Sequence, residues 1–256
     1  MNIHQNTEKN KIIEKQKIIE KFKEIKYQDG LILIEHIINN KYDEHFIKMI
    51  ILSLLRNNNK YIYEIYDYII KNTHINYDTI IDSSPIIYDC AIFKNISLSN
   101  YLIKKGININ LISNEKSPLM LASQYSNKTS SIKNKKYIEL LLENGANINL
   151  QNIYGHSALM LASKFSNYFS SIETVKLLLD NGADPNLKNK DGNTVLIIVL
   201  KNINLSNQFY RSSSIDIVKL LLEYGADPNI KNKEGKSAYD FVETEEQIDL
   251  IKPYMN

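Results

Sequence analysis

The chain repeats a short apolar block that begins with a hydroxyl residue. The sequence SPLMLAS at 117–123 recurs as SALMLAS at 157–163 and, more loosely, as TVLIIVL at 194–200. Serine or threonine before an apolar run is a typical helix N-cap, and proline is well tolerated at the first helical position, which Pro118 would occupy. Each block therefore predicts a short helix.

A second block follows each of the first blocks. It reads IELLLENGA at 138–146, VKLLLDNGA at 175–183 and VKLLLEYGA at 218–226. Its leucines predict a helix with a wide apolar stripe, and its glycine stands where a left-handed C-cap is expected. Asn-x-x-Gly turns come next, at 152–155, 189–192 and 232–235. The unit is two helices and a hairpin-like finger, and because neither helix buries its stripe alone, successive units must stack.

The spacing of the units predicts inserts and boundaries. The opening Ser or Thr positions, at 84, 117, 157, 194 and 237, are 33 to 43 residues apart, and Ser/Asn-rich inserts at 126–134, 166–171 and 202–214 account for the excess. We expect loops there, between the two helices of a unit. The predicted parts are an N-terminal helical cap region at 1–42 with an amphipathic helix at 8–26, two degenerate repeats at 43–116, three well-formed repeats with loop inserts at 117–236, and a C-terminal capping repeat at 237–256.

These blocks resemble the ankyrin repeat over residues 112–240. The family pattern of a turn ending in Gly, a TPLHxA block and a hydrophobic helix ending in Gly-Ala-Asp-x-Asn is present three times, with Met120, Met160 and Ile197 in place of the usual His. The resemblance implies an all-α repeat solenoid, an ankyrin-repeat stack. The inserts and the abundance of Ile, Lys and Asn are similar to those of ankyrin proteins from giant amoeba-infecting DNA viruses of the mimivirus type, which would make this a viral protein acting on a host.

Composition excludes several other classes of protein. Thirty-one Lys and Arg against 29 Asp and Glu give a net charge of +2, too balanced for a general polyanion binder. The single cysteine, Cys90, excludes an intramolecular disulfide framework and is expected to be a buried small hydrophobe. No apolar run approaches the length of a membrane helix, and no signal peptide is visible. We therefore expect an intracellular protein, in the host cytoplasm, that neither spans nor binds a membrane.

Catalytic and cofactor-binding patterns are also missing from the sequence. The five histidines show no metal-ligand spacing, and neither a GxxxxGK[ST] loop nor a GxGxxG fingerprint occurs. The repeated glycines already have roles as helix caps and turns. The sequence predicts no enzyme, no cofactor and no metal site.

The family resemblance implies a protein-binding surface instead. Ankyrin repeats bind other proteins along a concave face made by finger tips and first helices. Carried over by position, the partner-binding residues are Asn114, Lys116, Tyr125, Ile153, Tyr154, His156, Phe165, Lys188, Lys190, Asp191, Lys201, Lys231, Lys233 and Glu234. The apolar and aromatic members, Tyr125, Ile153, Tyr154 and Phe165, would form an anchor in the middle of this face. The lysines would attract an acidic segment of the partner.

Each of these assignments has a structural alternative. Tyr125 and Phe165 could equally pack under their own loops, His156 could be an ordinary solvated histidine, and the lysines could serve solubility alone. Two alternative functions also stay open. One is a substrate-recruiting adaptor for host ubiquitin ligation, and the other is weak nucleic-acid binding by the finger lysines with a steep salt dependence. The sequence leaves the partner's identity and the oligomeric state open.

Overall fold

The chain divides into two compact units, Met1–Asn108 and Ile109–Asn256. The computed structural model describes residues 16–18, 27–39, 46–47, 49–51, 54, 62–72, 86–126, 131–164, 170–205 and 211–255. Of the predicted amphipathic helix at 8–26, only residues 16–18 are among these, and they are helical. The rest of that helix lies outside the described residues, and the bounds of the four predicted parts stay predictions.

The described part of the first unit is built from helices. They are α1 (Tyr27–Asn39), α2 (Ile62–Asn72), α3 (Ile86–Phe93) and α4 (Ile96–Lys104). Helix α2 contacts both α1 and α4, and α3 packs against α4. Isoleucines dominate the interior, with Ile34, Ile37 and Ile65 almost fully buried. Apolar burial of this kind provides the main stabilisation of such helix pairs.

Cys90 lies on α3 and is fully buried, as the sequence predicts. Burial raises the pKa of its thiol far above the ordinary value, because the thiolate would have to form in apolar surroundings. The side chain behaves as a small hydrophobe and is unsuited to nucleophilic chemistry.

We expect Cys90 to be unreactive in the native protein. A colourimetric thiol reagent at pH 8 should label it only as fast as the first unit opens, whereas labelling should be immediate in concentrated guanidinium. Free cysteine in the same buffer is the control for the reagent. Immediate labelling of the folded chain would contradict the burial of this thiol.

In the second unit, the helices form two layers. First helices are α5 (Pro118–Gln124), α7 (Ala158–Lys164) and α9 (Val195–Leu205), and second helices are α6 (Ser131–Glu143), α8 (Ile172–Asp180) and α10 (Arg211–Glu223). Each first helix contacts the second helix of its own repeat, and neighbouring repeats contact one another within each layer. A 3-10 segment at Ala238–Phe241, helix α11 (Glu245–Ile251) and a 3-10 turn at Lys252–Tyr254 complete the unit. This architecture confirms the predicted all-α repeat stack.

The N-caps form where the Ser/Thr pattern predicts them. The Oγ atoms of Ser117 and Ser157 each accept a hydrogen bond from the backbone N–H three residues later, at 3.3 Å. Met120 stands where the family has histidine, and its Sδ accepts a 3.4 Å hydrogen bond from the Ser117 N–H. Ala162 on α7 is completely buried, so neighbouring first helices approach closely there.

Two of the three predicted inserts are partly helical. Helix α6 begins at Ser131 and α10 at Arg211, so each takes in part of its predicted insert. Asn134 shows the physical reason on α6. Its side chain is buried and donates a 2.9 Å hydrogen bond from Nδ2 to Oγ1 of Thr174 on α8. On α6, the insert residue Asn134 thus belongs to the second helix and contacts the next repeat.

A buried seam of hydroxyl groups also joins these two repeats. The hydroxyls of Ser126 and Ser170 are 3.0 Å apart, and Ser170 also donates to the Ser123 carbonyl at 3.0 Å. The backbone N–H of Ser171 donates to Ser126 Oγ at 3.0 Å. Buried polar groups are costly unless they are paired, so this network specifies how the two repeats meet.

Candidate partner-binding surface

Each finger is held in shape by an asparagine side chain. In the finger Asn152–His156, Oδ1 of Asn152 accepts hydrogen bonds from the backbone N–H groups of Tyr154 at 3.0 Å and His156 at 2.9 Å. Asn189 and Asn232 make the same two bonds in the fingers 189–193 and 232–236. The predicted Asn-x-x-Gly turns are confirmed, and the exposed tips rest on a fixed backbone.

Neighbouring fingers are joined by backbone hydrogen bonds. The N–H of Lys190 donates to the Tyr154 carbonyl at 2.9 Å, and the N–H of Lys233 donates to the Asp191 carbonyl at 3.0 Å. The contact is close enough that a Cβ added to Gly155 would lie 2.8 Å from the backbone nitrogen of Lys190. The three fingers from 152 to 236 therefore form a continuous ladder.

The largest exposed apolar side chains of the fingers are Ile153 and Tyr154. Ile153 is 56% exposed and Tyr154 is 46% exposed, and the two are adjacent at one finger tip. Tyr125, predicted to join them, is half-buried at the C-cap of α5. Phe165 lies outside the described residues. Two of the four predicted anchor residues are thus together at an exposed tip.

The ring of Tyr154 is oriented by contacts on both sides. Its hydroxyl donates a short hydrogen bond to the carboxylate of Glu115, on the preceding finger, and this bond raises the pKa of the Tyr154 hydroxyl. Its ring centroid lies 6.3 Å from that of His156. A tyrosine held in this way presents a rigid apolar face with a polar end, which is typical of interface anchors.

Glu115 was missed by the analysis of the sequence. It stands in the turn position that Gly155 holds in the next finger, and it adopts the left-handed backbone with φ of +65°. Asn114 before it has φ of +46°, so the first finger is a tight turn closed by two backbone hydrogen bonds between Ser113 and Lys116, each 3.1 Å long. An alignment of the finger sequences shows this signal, because Glu115 stands where the later fingers have the turn glycine.

His156 is half-buried, which differs from the solvated histidine expected by default. Its Nε2 lies 3.4 Å from Nδ2 of Asn189 in the next finger. Burial lowers the pKa of its imidazole, the charge of Lys164 lowers it further, and Asp191 opposes both. The neutral ring can accept a hydrogen bond from the Asn189 amide, so His156 helps to join two fingers.

The predicted basic positions divide into two groups. Four of them are exposed on the last two fingers, namely Lys188, Lys190, Lys231 and Lys233. Lys201 instead lies with its Nζ 5.1 Å from the centroid of the Phe241 ring, and Lys116 is half-buried. The predicted acidic residues Asp191 and Glu234, and the polar Asn114, are exposed at finger tips. Positive charge is therefore concentrated on the last two fingers.

The described residues contain neither a candidate metal cluster nor a helix that could span a membrane. No cluster of three or more His, Cys, Asp or Glu side chains in those ranges could hold a metal ion. None of the helices within the described ranges is long and apolar enough to cross a membrane.

Comparison with known proteins gives one family. A family model described as Ankyrin repeats (3 copies) matches residues 87–189 and 129–232, which together make up more than half of the chain. No curated protein matches the chain. The similarity to viral ankyrin proteins therefore stays a prediction.

Proposed function

Because the chain belongs to the ankyrin-repeat family, we propose that it is a non-catalytic module that binds a partner protein along its fingers and first helices. Repeats of this kind generally serve protein–protein interaction, and their stacked units provide an extended binding surface. The observation that carries the proposal is the pair of adjacent exposed side chains, Ile153 and Tyr154, on one fixed finger.

The fixed backbone makes this pair suited to binding. The Tyr154 carbonyl accepts a hydrogen bond from Lys190, and its hydroxyl donates to Glu115. A side chain that is already ordered loses little conformational entropy when a partner covers it. Burial of a large aromatic ring at the centre of an interface contributes much of the binding free energy in many complexes. Ile153 and Tyr154 are thus the proposed anchor.

The positive charge of the last two fingers indicates that the partner carries acidic residues. Lys188, Lys190, Lys231 and Lys233 are exposed beside this anchor on the next two fingers. An acidic segment of the partner would be attracted there, with a larger effect on the association rate than on the affinity. We propose a partner whose apolar contact residue is followed or preceded by acidic residues.

A pull-down from cell lysate tests the proposed surface. The wild-type chain is compared with Ile153→Ser/Tyr154→Ser, Lys190→Ser/Lys233→Ser and the control Ile132→Ser, which alters a side chain that is 69% exposed on α6. We expect the anchor variant to lose a discrete protein, with binding weakened by about tenfold or more. The lysine variant should bind the partner mainly more slowly, and the control should bind as the wild type does.

Other results would contradict this assignment. If the anchor variant retains the same protein, the finger surface is not the binding site. If the wild type retains nucleic acid that washes off at higher salt, the lysines bind phosphates and the partner is not a protein. Copurification of a ubiquitin-ligase scaffold protein would instead support the adaptor alternative.

A further inference from the structure

In two successive fingers, the last residue faces the turn asparagine of the finger that follows. Asn193 ends the finger 189–193, and its Oδ1 accepts a 2.8 Å hydrogen bond from Nδ2 of Asn232. His156 ends the finger 152–156, and its Nε2 lies 3.4 Å from Nδ2 of Asn189. The same contact between fingers is thus made once by an amide, which does not titrate, and once by an imidazole, which does.

The hydrogen bonds of Asn189 determine which protonation state of His156 fits the contact. Oδ1 of Asn189 accepts from the backbone N–H groups of Asp191 at 3.0 Å and Asn193 at 2.9 Å. The amide nitrogen, which is only a donor, is therefore the atom that faces the imidazole. Nε2 of His156 must then be the unprotonated acceptor, so the ring is neutral in this contact.

Burial and charge around the imidazole favour the same neutral form. The side chain is half-buried, and burial lowers the pKa of the ring because its charged form would lose water. Among the described residues, the charges that act on the ring are Lys164 on α7, which lowers the pKa further, and Asp191 on the next finger, which raises it. The ring centroid of Tyr154 lies 6.3 Å from that of His156, and Glu115 of the preceding finger bonds to the Tyr154 hydroxyl.

We propose that protonation of His156 in mild acid breaks this contact between the finger 152–156 and the next finger, and that the anchor then binds its partner more weakly. A protonated Nε2 would direct its hydrogen at the amide nitrogen of Asn189, so that two donors face each other. Asn189 cannot turn its oxygen toward the ring without losing both backbone hydrogen bonds, so the imidazole must move instead. Tyr154 then loses the ring that lies beside it. The effect on binding rests on the proposed function, whereas the effect on the fingers does not.

The lowered pKa gives the pH dependence a definite direction. Because the pKa of the native ring is below its ordinary value of 6.5, the unfolded chain binds a proton at pH values where the native ring is still neutral. The neutral contact therefore contributes its full stability above about pH 7. That stability is lost as the pH falls through 6.5 toward the lower pKa of the native ring.

Two variants separate the proton from the rest of the contact. His156→Asn provides the amide acceptor that Asn193 provides in the next finger, and it does not titrate. Asn189→Asp keeps one oxygen for the backbone N–H groups of Asp191 and Asn193 and places a second oxygen toward His156. Protonation of His156 should then strengthen the contact instead of breaking it. A role of His156 in packing alone would not reverse in this way.

Guanidinium unfolding of the full chain at pH values of about 7.5 and 5.5, followed by circular dichroism, tests the contact without a partner. On acidification, the midpoint concentration of guanidinium should fall further for the wild type than for His156→Asn, and Asn189→Asp should fall less than the wild type. His156→Asn accounts for the other groups that titrate in this range. Equal falls in the wild type and His156→Asn would overturn the proposal, and so would a fall in Asn189→Asp as large as that of the wild type.

Capture of the partner from lysate at the same two pH values tests the effect on the anchor. Relative to His156→Asn, the wild type should bind about fivefold more weakly at the lower pH. The same loss in both chains would overturn the effect on binding. If the wild type captures no protein at either pH, the proposed function fails, while the unfolding comparison still decides whether His156 responds to acid.

Discussion

Replacing Gly192 by alanine will destabilise the second unit by roughly 2–5 kcal/mol, and replacing Gly235 by alanine will cost only about 1–2 kcal/mol. Both residues have left-handed backbone with almost the same φ, so the conformational strain of alanine is common to both. Only at Gly192 does the new Cβ overlap the next finger, 2.8 Å from the nitrogen of Lys233. The difference between the two variants thus isolates the contact between fingers.

Guanidinium unfolding followed by far-ultraviolet circular dichroism measures both changes. Gly155→Ala should resemble Gly192→Ala, since its Cβ would also lie 2.8 Å from the backbone of the following finger. Equal losses at positions 192 and 235 would mean that the ladder does not hold the fingers together. The destabilisation would then come from the backbone strain of alanine at a positive φ alone.

The local structure of each repeat was predictable because its signals lie close together in sequence. The serine N-caps at 117 and 157 and the turn asparagines at 152, 189 and 232 act within four residues of their partners. Such short-range patterns predict element type and order well, and the repetition of the blocks reinforces them. The stacked all-α architecture follows from apolar stripes that single repeats cannot bury.

Contacts between repeats were harder to predict, since they join residues that are far apart in sequence. The buried bond from Asn134 to Thr174 spans 40 residues, and that between Ser126 and Ser170 spans 44. All of these residues except Thr174 lie in Ser/Asn-rich inserts, whose composition is that of loops. Nothing in the local pattern distinguishes a buried asparagine from a solvated one. The hydrogen bonds between these repeats could therefore not be predicted from the sequence.

The candidate site likewise has features that follow from the local sequence and features that depend on contacts between repeats. The exposure of Ile153 and Tyr154 could be predicted because a finger tip has little core to join. The role of Glu115 could not, because its carboxylate reaches Tyr154 across 39 residues and from a turn that ordinarily contains glycine. The contact of the Lys201 ammonium with the ring of Phe241, in the last repeat, could not be predicted either. Side-chain positions on a repeat surface depend on the neighbouring repeat.

Replacing Asn189 by alanine should also destabilise the fingers strongly, with a loss of roughly 2–4 kcal/mol in the free energy of unfolding. Its Oδ1 accepts hydrogen bonds from the backbone N–H groups of Asp191 and Asn193, and its Nδ2 lies 3.4 Å from the ring of His156. Asn189 is buried, so these groups would lose their partners with little access to water.

Asn181→Ala is the matched control for this variant. Asn181 is exposed and makes a 2.8 Å surface hydrogen bond from Nδ2 to the Leu177 carbonyl, so its loss should change stability by about 0.5 kcal/mol or less. Because Asn189 orders the finger that lies against Tyr154, its removal should also weaken capture of the partner, measured at a temperature where the variant is still folded. Unchanged stability in Asn189→Ala would show that the finger turn is maintained by its backbone alone. Preorganisation of the binding surface would then have to come from the helices beneath it.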